Sequence, residues 1–558
     1  MRRISLLALL GAILLLVPLT ADATKRAATT HSYVVLYERG ASDARARAAI
    51  ESAGGRVVEV NRKVGVATVR SANANFVVDV SRTAAVEGAA RNRPVGYAKP
   101  DQVKDPFAIE RMNGLRNSAA GEGRVREQGA GRSAAEPFAD LQWDMRMINA
   151  TPSKSYKRQR GSHDVRVGII DTGVDGTHPD IAPNFNQALS RNFTTDIPLI
   201  DGPCEEANCV DPNNVDQDGH GTHVAGTVGA AINGLGMAGV APGVQLINIR
   251  AGQDSGYFFL QPSVDALTYA GDIGVDVVNM SYYIDPWLYN CANNPADSPE
   301  QQLEQRTIIG ATERALGYAR RHGVTLISAL GNEQTDIGKP TTDETSPDFP
   351  PDTAYPRTVD NSCKSEPTEA PGVIGISSVG PSERKAYYSN YGVEQTDLSA
   401  PGGDRRDFFG TSRYNTPPNT VIAPYPTYDA VANGDLNPDG TPNNPFVLAD
   451  CSRGPCAYYQ YLQGTSMASP HAVGVAALVV ASRGHRDRAH GGLTLSPATV
   501  ERVMKKTAQD HACPDPPLFH YPDPDLTPDY TALCEGSATD NGFYGEGIVD
   551  AFAASKRH

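Results

Sequence analysis

From residue 141 onward, short apolar segments alternate with helical ones, and that alternation limits the architecture more than any other feature of the chain. Val165-Arg166-Val167-Gly168-Ile169-Ile170, Val244-Gln245-Leu246-Ile247-Asn248-Ile249, Val275-Asp276-Val277-Val278-Asn279-Met280 and Val324-Thr325-Leu326-Ile327-Ser328 read as strands rich in β-branched residues. Parallel neighbours need long crossovers, which helices supply. The pattern therefore predicts an α/β fold: a doubly wound, mostly parallel sheet with helices on both faces. Long Pro- and Asp-rich stretches near 285–299, 334–371 and 402–455 interrupt the plan. Their polarity predicts surface loops stapled by cysteines.

Smaller units precede this body, which spans residues 141–558. Residues 24–100, with a core at 31–97, read as a small α+β unit with strands at 33–37, 56–60 and 64–69 and a helix at 44–52. Residues 101–140 are polar and rich in Gly, Arg and Ala, a linker composition where proteolysis concentrates. Residues 1–23 carry Arg2 and Arg3, an apolar run over 4–19 and the small-residue pattern Ala21-Asp22-Ala23, so they read as an export signal peptide. The rival is an uncleaved membrane anchor, for which the run is short. No stable membrane insertion is expected elsewhere.

The net charge of −14 conceals an asymmetry, because residues 24–135 hold 19 Lys and Arg against 11 Asp and Glu. The basic residues are dispersed rather than clustered, which argues against nucleic acid as a partner. Eight cysteines, an even number in an exported chain, read as disulfides. Cys204–Cys209 and Cys451–Cys456 each enclose four residues, so local pairing costs little loop entropy. Cys513–Cys534 would staple a Pro-rich insert near the C-terminus, leaving Cys291–Cys363. A zinc site using Cys204 and Cys209 with His220 and His223 is the rival reading, but no C-x-x-C pair supports it.

Three segments carry chemistry. Ile169-Ile170-Asp171-Thr172-Gly173 places an acid at the carboxyl end of a strand, where open α/β sheets keep their sites. An Asp there can accept a bond from an imidazole N–H, although many strands simply end in Asp at a turn. Asp218-Gly219-His220-Gly221-Thr222-His223 opens a small-residue helix with a histidine in its first turn, where a general base could approach a nucleophile closely. Two histidines three apart could bind metal instead, but without the H-E-x-x-H carboxylate, and His223 reads as a buried structural residue. Gly464-Thr465-Ser466-Met467-Ala468-Ser469-Pro470-His471 leads into the apolar run 472–480, a buried helix. Ser466 at its N-terminus lies where free backbone N–H groups favour developing negative charge, and Pro470 is assigned to the first turn. Ser466 as a mere helix cap is the plain alternative.

Together these blocks resemble the signature regions of the subtilisin-like serine proteases (subtilases, the peptidase S8 family), in that family's order of Asp, His and Ser. The resemblance covers residues 141–555, with further matches at Gly239-Val240-Ala241-Pro242, Leu398-Ser399-Ala400-Pro401-Gly402 and Tyr544-Gly545-Glu546-Gly547-Ile548-Val549-Asp550-Ala551. It implies a secreted serine endopeptidase that hydrolyses peptide bonds in proteins and peptides and is made as a self-processing zymogen. Asp171, His220 and Ser466 would be the catalytic triad, and Asn332, in Ser328-Ala329-Leu330-Gly331-Asn332-Glu333, the oxyanion-hole donor. Ser281 and Gly331 would bind substrate. The 31–97 unit resembles the ferredoxin-like inhibitory propeptide of such proteases, an intramolecular partner released by cleavage within the linker.

Catalysis would use no cofactor. Asp180, nine positions after Asp171, together with Asn233 and Gln142, resembles the calcium ligands of some subtilisins, with carbonyls of Ala231, Leu235 and Met237 adding oxygens. Its alternative is an Asp180 that only caps a turn. One departure concerns the substrate walls: the family's usual Leu-Gly after Asn279-Met280-Ser281 is here Tyr282-Tyr283-Ile284. A monomer is expected. Two rivals stay open: a catalytically silent binding protein on the same scaffold, and an exopeptidase.

Overall fold

The computed structural model describes residues 29–92, 110, 125–126, 136–350 and 352–557. The signal peptide read at 1–23 and most of the linker read at 101–140 lie outside the described residues.

The N-terminal unit runs β1 (His31–Tyr37), α1 (Asp43–Ser52), β2 (Gly55–Asn61), β3 (Val66–Ser71), α2 (Phe76–Ser81) and β4 (Val86–Arg91). Its antiparallel sheet has the order β2-β3-β1-β4, the ferredoxin-like arrangement. The segment Val34-Val35-Leu36 in β1 is apolar on both faces, so the strand needs two partners. Tyr33, Val35 and Tyr37 pack with Ile50, Phe76 and Val80 beneath the unit's own helices. Val34 and Leu36 point the other way, into a cluster with Ile308, Ala311 and Ala315 of the main body.

The body continues with β5 (Val125–Arg126), β6 (Arg166–Ile170), β7 (Arg191–Asn192), α3 (His220–Gly229), β8 (Gln245–Arg250), α4 (Leu260–Asp272), β9 (Val277–Met280) and α5 (Pro299–Arg321). Next come β10 (Thr325–Ala329), β11 (Val373–Val379), β12 (Leu398–Pro401), β13 (Val421–Tyr425), β14 (Val447–Asp450), β15 (Ala457–Leu462) and α6 (Thr465–Arg483). A seven-stranded sheet has the order β12-β11-β10-β9-β6-β8-β7, and every pairing in it is parallel. Alternate residues serve opposite layers: Val167, Ile169 and Ile327 join the cluster containing α3 and α6, while Ile170, Val278 and Leu326 join that of α4 and α5. Chain order reverses at β6, which lies between β9 and β8, so the carboxyl end of β6 opens into the crevice where such sheets bind ligands. A capping box at Ser298 and Gln301, with Pro299 in the first turn, starts α5.

Two sequence expectations need correction. The Pro- and Asp-rich inserts are not merely surface loops. Within 402–462 lie β13, β14 and β15, which form a sheet in the order β13-β15-β14-β5 and bury Val421, Ile422, Ala423 and Tyr459 against the α3 side of the core. Composition averaged over a long stretch hides short apolar strands among turn residues. In the other inserts Arg357 is fully buried, pairing with Asp297 at 3.0 Å and Asp343 at 2.5 Å while its guanidinium covers the Trp287 ring at 4.6 Å. Those polar residues pair with one another rather than with water.

The second correction concerns Pro470. The helix begins at Thr465, which puts Pro470 inside it, beyond the first turn. Proline has no N–H to give to the carbonyl four residues back. That carbonyl belongs to Ser466, and it accepts the Ser281 hydroxyl at 3.1 Å instead. Helix α6 is long and apolar enough to cross a membrane, yet 94% of that stretch is buried within the body. Disulfides join Cys204–Cys209, Cys291–Cys363, Cys451–Cys456 and Cys513–Cys534.

Candidate active site

Asp171 follows the last residue of β6 and is fully buried. Its carbonyl takes the N–H groups of Ala251 and Gly252 at 3.1 Å, and its Oδ1 accepts the Thr172 N–H at 2.8 Å. Helix α3 meets this strand end because its first turn is small. A Cβ on Gly221 would stand 2.1 Å from the Gly173 carbonyl oxygen, so only glycine allows the approach. Asp216 clamps the two elements together. Its buried carboxylate accepts Thr172 Oγ1 at 2.9 Å, the Gly219 N–H at 3.1 Å, and the Thr222 N–H and hydroxyl at 2.8 and 2.6 Å. His220 Nδ1 thereby lies 2.7 Å from Asp171 Oδ1.

Ser466 stands in the first turn of α6, and Asn332 follows the end of β10. Asn332 is oriented by its oxygen, which accepts the Thr465 N–H at 2.9 Å and the Thr465 hydroxyl at 3.0 Å and so turns the amide N–H toward Ser466. Asp171, His220, Asn332 and Ser466, read from distant parts of the sequence, share one site.

A fifth residue, Glu110, joins them from the segment read as the linker. The Glu110 carboxylate accepts the Ser466 hydroxyl at 2.7 Å and the Asn332 amide at 2.8 Å, both on Oε1, while Oε2 lies 3.0 Å from His220 Nε2. Oε1 therefore lies between the Ser466 hydroxyl and the Asn332 amide. Glu110 is 1% exposed, and its backbone carbonyl is held by the Gln463 N–H. Burial by itself lowers the His220 pKa, but Asp171 and Glu110 on its two nitrogens outweigh that and hold it well above 6.5.

A cavity of about 260 Å³ opens beside Ser466, lined among others by Ser281, Tyr282, Tyr283, Gly331, Asp285 and Glu333. Tyr282 stacks on Phe258 with ring centroids 4.1 Å apart, and the Tyr283 hydroxyl donates to Asp348 at 2.6 Å. Gly331 takes a φ of +101°, and a Cβ there would meet Asn390 at 2.5 Å. Ser281 faces the cavity but spends its proton on the Ser466 carbonyl.

His223 lies apart from this chemistry. Its Nε2 stands 3.1 Å from the carbonyls of Val421 and Gln460, and burial drops its pKa to about 3. Of the residues read as calcium ligands, Asp180 and Asn233 meet at 3.0 Å, while Gln142 pairs with the backbone of Ala238. The Asp180 oxygens also accept the Tyr459 hydroxyl at 2.7 Å and the Met237 N–H at 3.2 Å. The side-chain oxygens of Asp180, Asn233 and Gln142 thus already accept protein donors.

Sequence reasoning missed Glu110 and Asp216. Asp216 had a local signal, two acids just before His220; Glu110 had none, being one of the 11 acids in residues 24–135.

The profile of the subtilase family matches residues 162–547, more than half of the chain. The chain belongs to the subtilase family. Among curated relatives, this subtilase is 27% identical over 413 residues to the thermophilic serine proteinase of Bacillus sp. strain AK1, covering 74% of this chain and 69% of that one. It is also 27% identical to subtilisin DY of Bacillus licheniformis, covering 62% and 83%. In fold, this subtilase resembles the epidermin leader peptide processing serine protease EpiP of Staphylococcus aureus, with a TM-score of 0.60 at 19% identity, covering 94% and 98%. Fervidolysin of Fervidobacterium pennivorans gives a TM-score of 0.55 at 20% identity, covering 95% and 61%. This subtilase is thus a subtilisin-like serine protease.

Proposed function

We propose that the protein is exported as a zymogen and that Asp171, His220 and Ser466 form its catalytic triad. In this reading Ser466 attacks a peptide carbonyl while His220 takes its proton and returns it to the leaving amine. Asp171 fixes the imidazole tautomer and stabilises the imidazolium. Asn332 and the Ser466 N–H receive the oxyanion. Water then hydrolyses the acyl-enzyme through the same base. The observation that carries the reading is the Glu110 carboxylate, which one hydroxyl, one imidazole and one amide grip together where a substrate carbonyl would react. The same contact supports latency: with Glu110 in place, no substrate can reach Ser466.

The cavity beside Ser466 supports a substrate class. Asp285 and Glu333 line it, Asp348 stands behind Tyr283, and no Lys or Arg lines it among the described residues. Burial and the neighbouring Asp348 push Asp285 well above the usual carboxylate range, and burial raises Glu333 too. An entering cationic side chain relieves that cost, so the enzyme should cleave after Lys or Arg. The linker offers Arg111, Arg116, Arg124, Arg126 and Arg132 for self-cleavage. Mass-spectrometric mapping of cuts in an unfolded protein tests this reading. Internal cuts after Lys and Arg support it, trimming from chain ends would indicate an exopeptidase, and cuts after apolar residues would refute the preference.

A further inference from the structure

The insert closed by Cys513–Cys534 lies outside the catalytic groups, yet it covers a buried cation. Lys385, shortly after β11, is 1% exposed. Its Nζ donates to the carbonyls of Ser389 at 2.7 Å and Ala386 at 3.1 Å. The rings of Tyr391, Phe543 and Tyr521 stand around it, with centroids 5.0, 5.6 and 5.8 Å away. Tyr521 comes from within the insert, and its hydroxyl donates to the Lys385 carbonyl at 3.0 Å. The hydrogen-bond partners of this amine are thus neutral, and burial draws its pKa down to about 7 against the pull of Asp404. Burying a cation in this way costs free energy that an apolar side chain of similar size would avoid. What the amine holds therefore bears on its role.

It holds a turn. Ala386 and Ser389 are joined by the Ser389 N–H, which donates to the Ala386 carbonyl at 3.1 Å. The turn delivers its neighbours to the segment that carries Asn332. The Tyr388 carbonyl takes the Gln334 N–H at 2.7 Å, and the Tyr391 N–H donates to the Thr335 carbonyl at 3.0 Å. Asn390 brackets Asn332 itself. Its backbone N–H donates to the Gly331 carbonyl at 3.0 Å, and its side-chain oxygen accepts the Glu333 N–H at 3.1 Å. Its side-chain amide also donates to the Leu330 carbonyl at 2.9 Å.

We propose that Lys385 is a positioning residue for the oxyanion: by pinning the 386–389 turn it sets Asn390, and through Asn390 the backbone on both sides of Asn332. The insert is the cover of this arrangement, with Tyr521 holding Lys385 in place. The inference rests on the reading of Asn332 as the oxyanion donor. Such a donor acts where charge develops in the transition state, so displacing it lowers turnover rather than substrate binding.

The test compares kcat and KM of the processed enzymes on one peptide substrate, with active molecules counted by a serine-directed phosphonate. Lys385→Met keeps the stem and removes the amine; it should lower kcat about tenfold with little change in KM, part of the loss expected when an oxyanion donor is removed. Tyr521→Ala leaves Lys385 and its two carbonyls in place and should lower kcat severalfold in the same way. It carries the test where Lys385→Met yields no enzyme that the phosphonate labels. In the Asn332→Ala background the positioned donor is gone, so each substitution should change kcat by less than about twofold. A side chain that only stabilised the fold would lower the number of active molecules and leave kcat alone. The inference is overturned if both variants keep full kcat, if they raise KM instead, or if their losses multiply with that of Asn332→Ala. Should Asn332→Ala itself leave kcat intact, the oxyanion reading fails and this inference with it. Should Asn332→Ala cost about 10²–10³ in kcat while Lys385→Met and Tyr521→Ala cost nothing, this inference alone fails.

Discussion

The proposed latency rests on the contact between two residues, Glu110 and His220. With Glu110 on Nε2 and Asp171 on Nδ1, the His220 pKa lies well above 6.5. A raised pKa means that the contact stabilises the latched form fully below the ordinary value, and that this stability is lost as pH rises through the raised value. Self-processing of the precursor should therefore be slow in acid and quicken as pH climbs above the ordinary histidine range. Glu110→Gln keeps the shape and removes the charge, so its processing rate should reach half-maximum at a lower pH. Gel-based rates across pH check this, and an unchanged midpoint would contradict it. Asn332 contributes differently, through the oxyanion alone. After processing, Asn332→Ala should lower kcat by about 10²–10³ with little change in KM, the loss known from subtilisin when its oxyanion asparagine is removed.

Among the elements, α6 shows how a helix tolerates an interior proline. The Ser281 hydroxyl replaces the N–H that Pro470 cannot give to the Ser466 carbonyl. In the Ser466→Ala background, Ser281→Ala should lower stability by about 1–3 kcal/mol, the cost of an orphaned buried acceptor, measured by denaturant unfolding. Four of the seven strands of the parallel sheet, β6, β8, β9 and β10, were legible in the sequence to within about two residues, because each is an apolar, largely β-branched run buried on both faces. Asp171 was legible at the end of such a strand and His220 and Ser466 in the first turns of small-residue helices, whereas Asn332 was read only through the resemblance to the family's signature regions. The strands β13, β14 and β15 were not, since they are short and set among turn residues whose composition dominates. Glu110 was not, because its role comes from a contact with Ser466 that spans 356 positions. No local pattern encodes such a contact.

On the scale of the whole molecule, the N-terminal unit rides on α4 and α5. Val34, Leu36 and Ala90 supply an apolar centre. Around it, Asn61 donates to Asp265 at 2.8 Å and Arg91 pairs with Glu300 at 3.2 Å, with Lys63–Asp272 and Glu87–Arg314 adding ion pairs. These charged pairs are partly exposed and so open to salt screening. Residues 29–92 added in trans should inhibit the mature enzyme, and raising salt from about 0.05 to 0.5 M should weaken inhibition severalfold without abolishing it. Complete loss would mean that the apolar centre contributes little. The central claim is that the groups gathered around Glu110 cut peptide bonds, the chain's own first. Intact-mass analysis of the purified full-length precursor tests it most directly. The wild-type chain should release its N-terminal unit by a cut between residues 97 and 140, while Ser466→Ala should stay whole under the same conditions. Normal self-processing by purified Ser466→Ala would contradict the account.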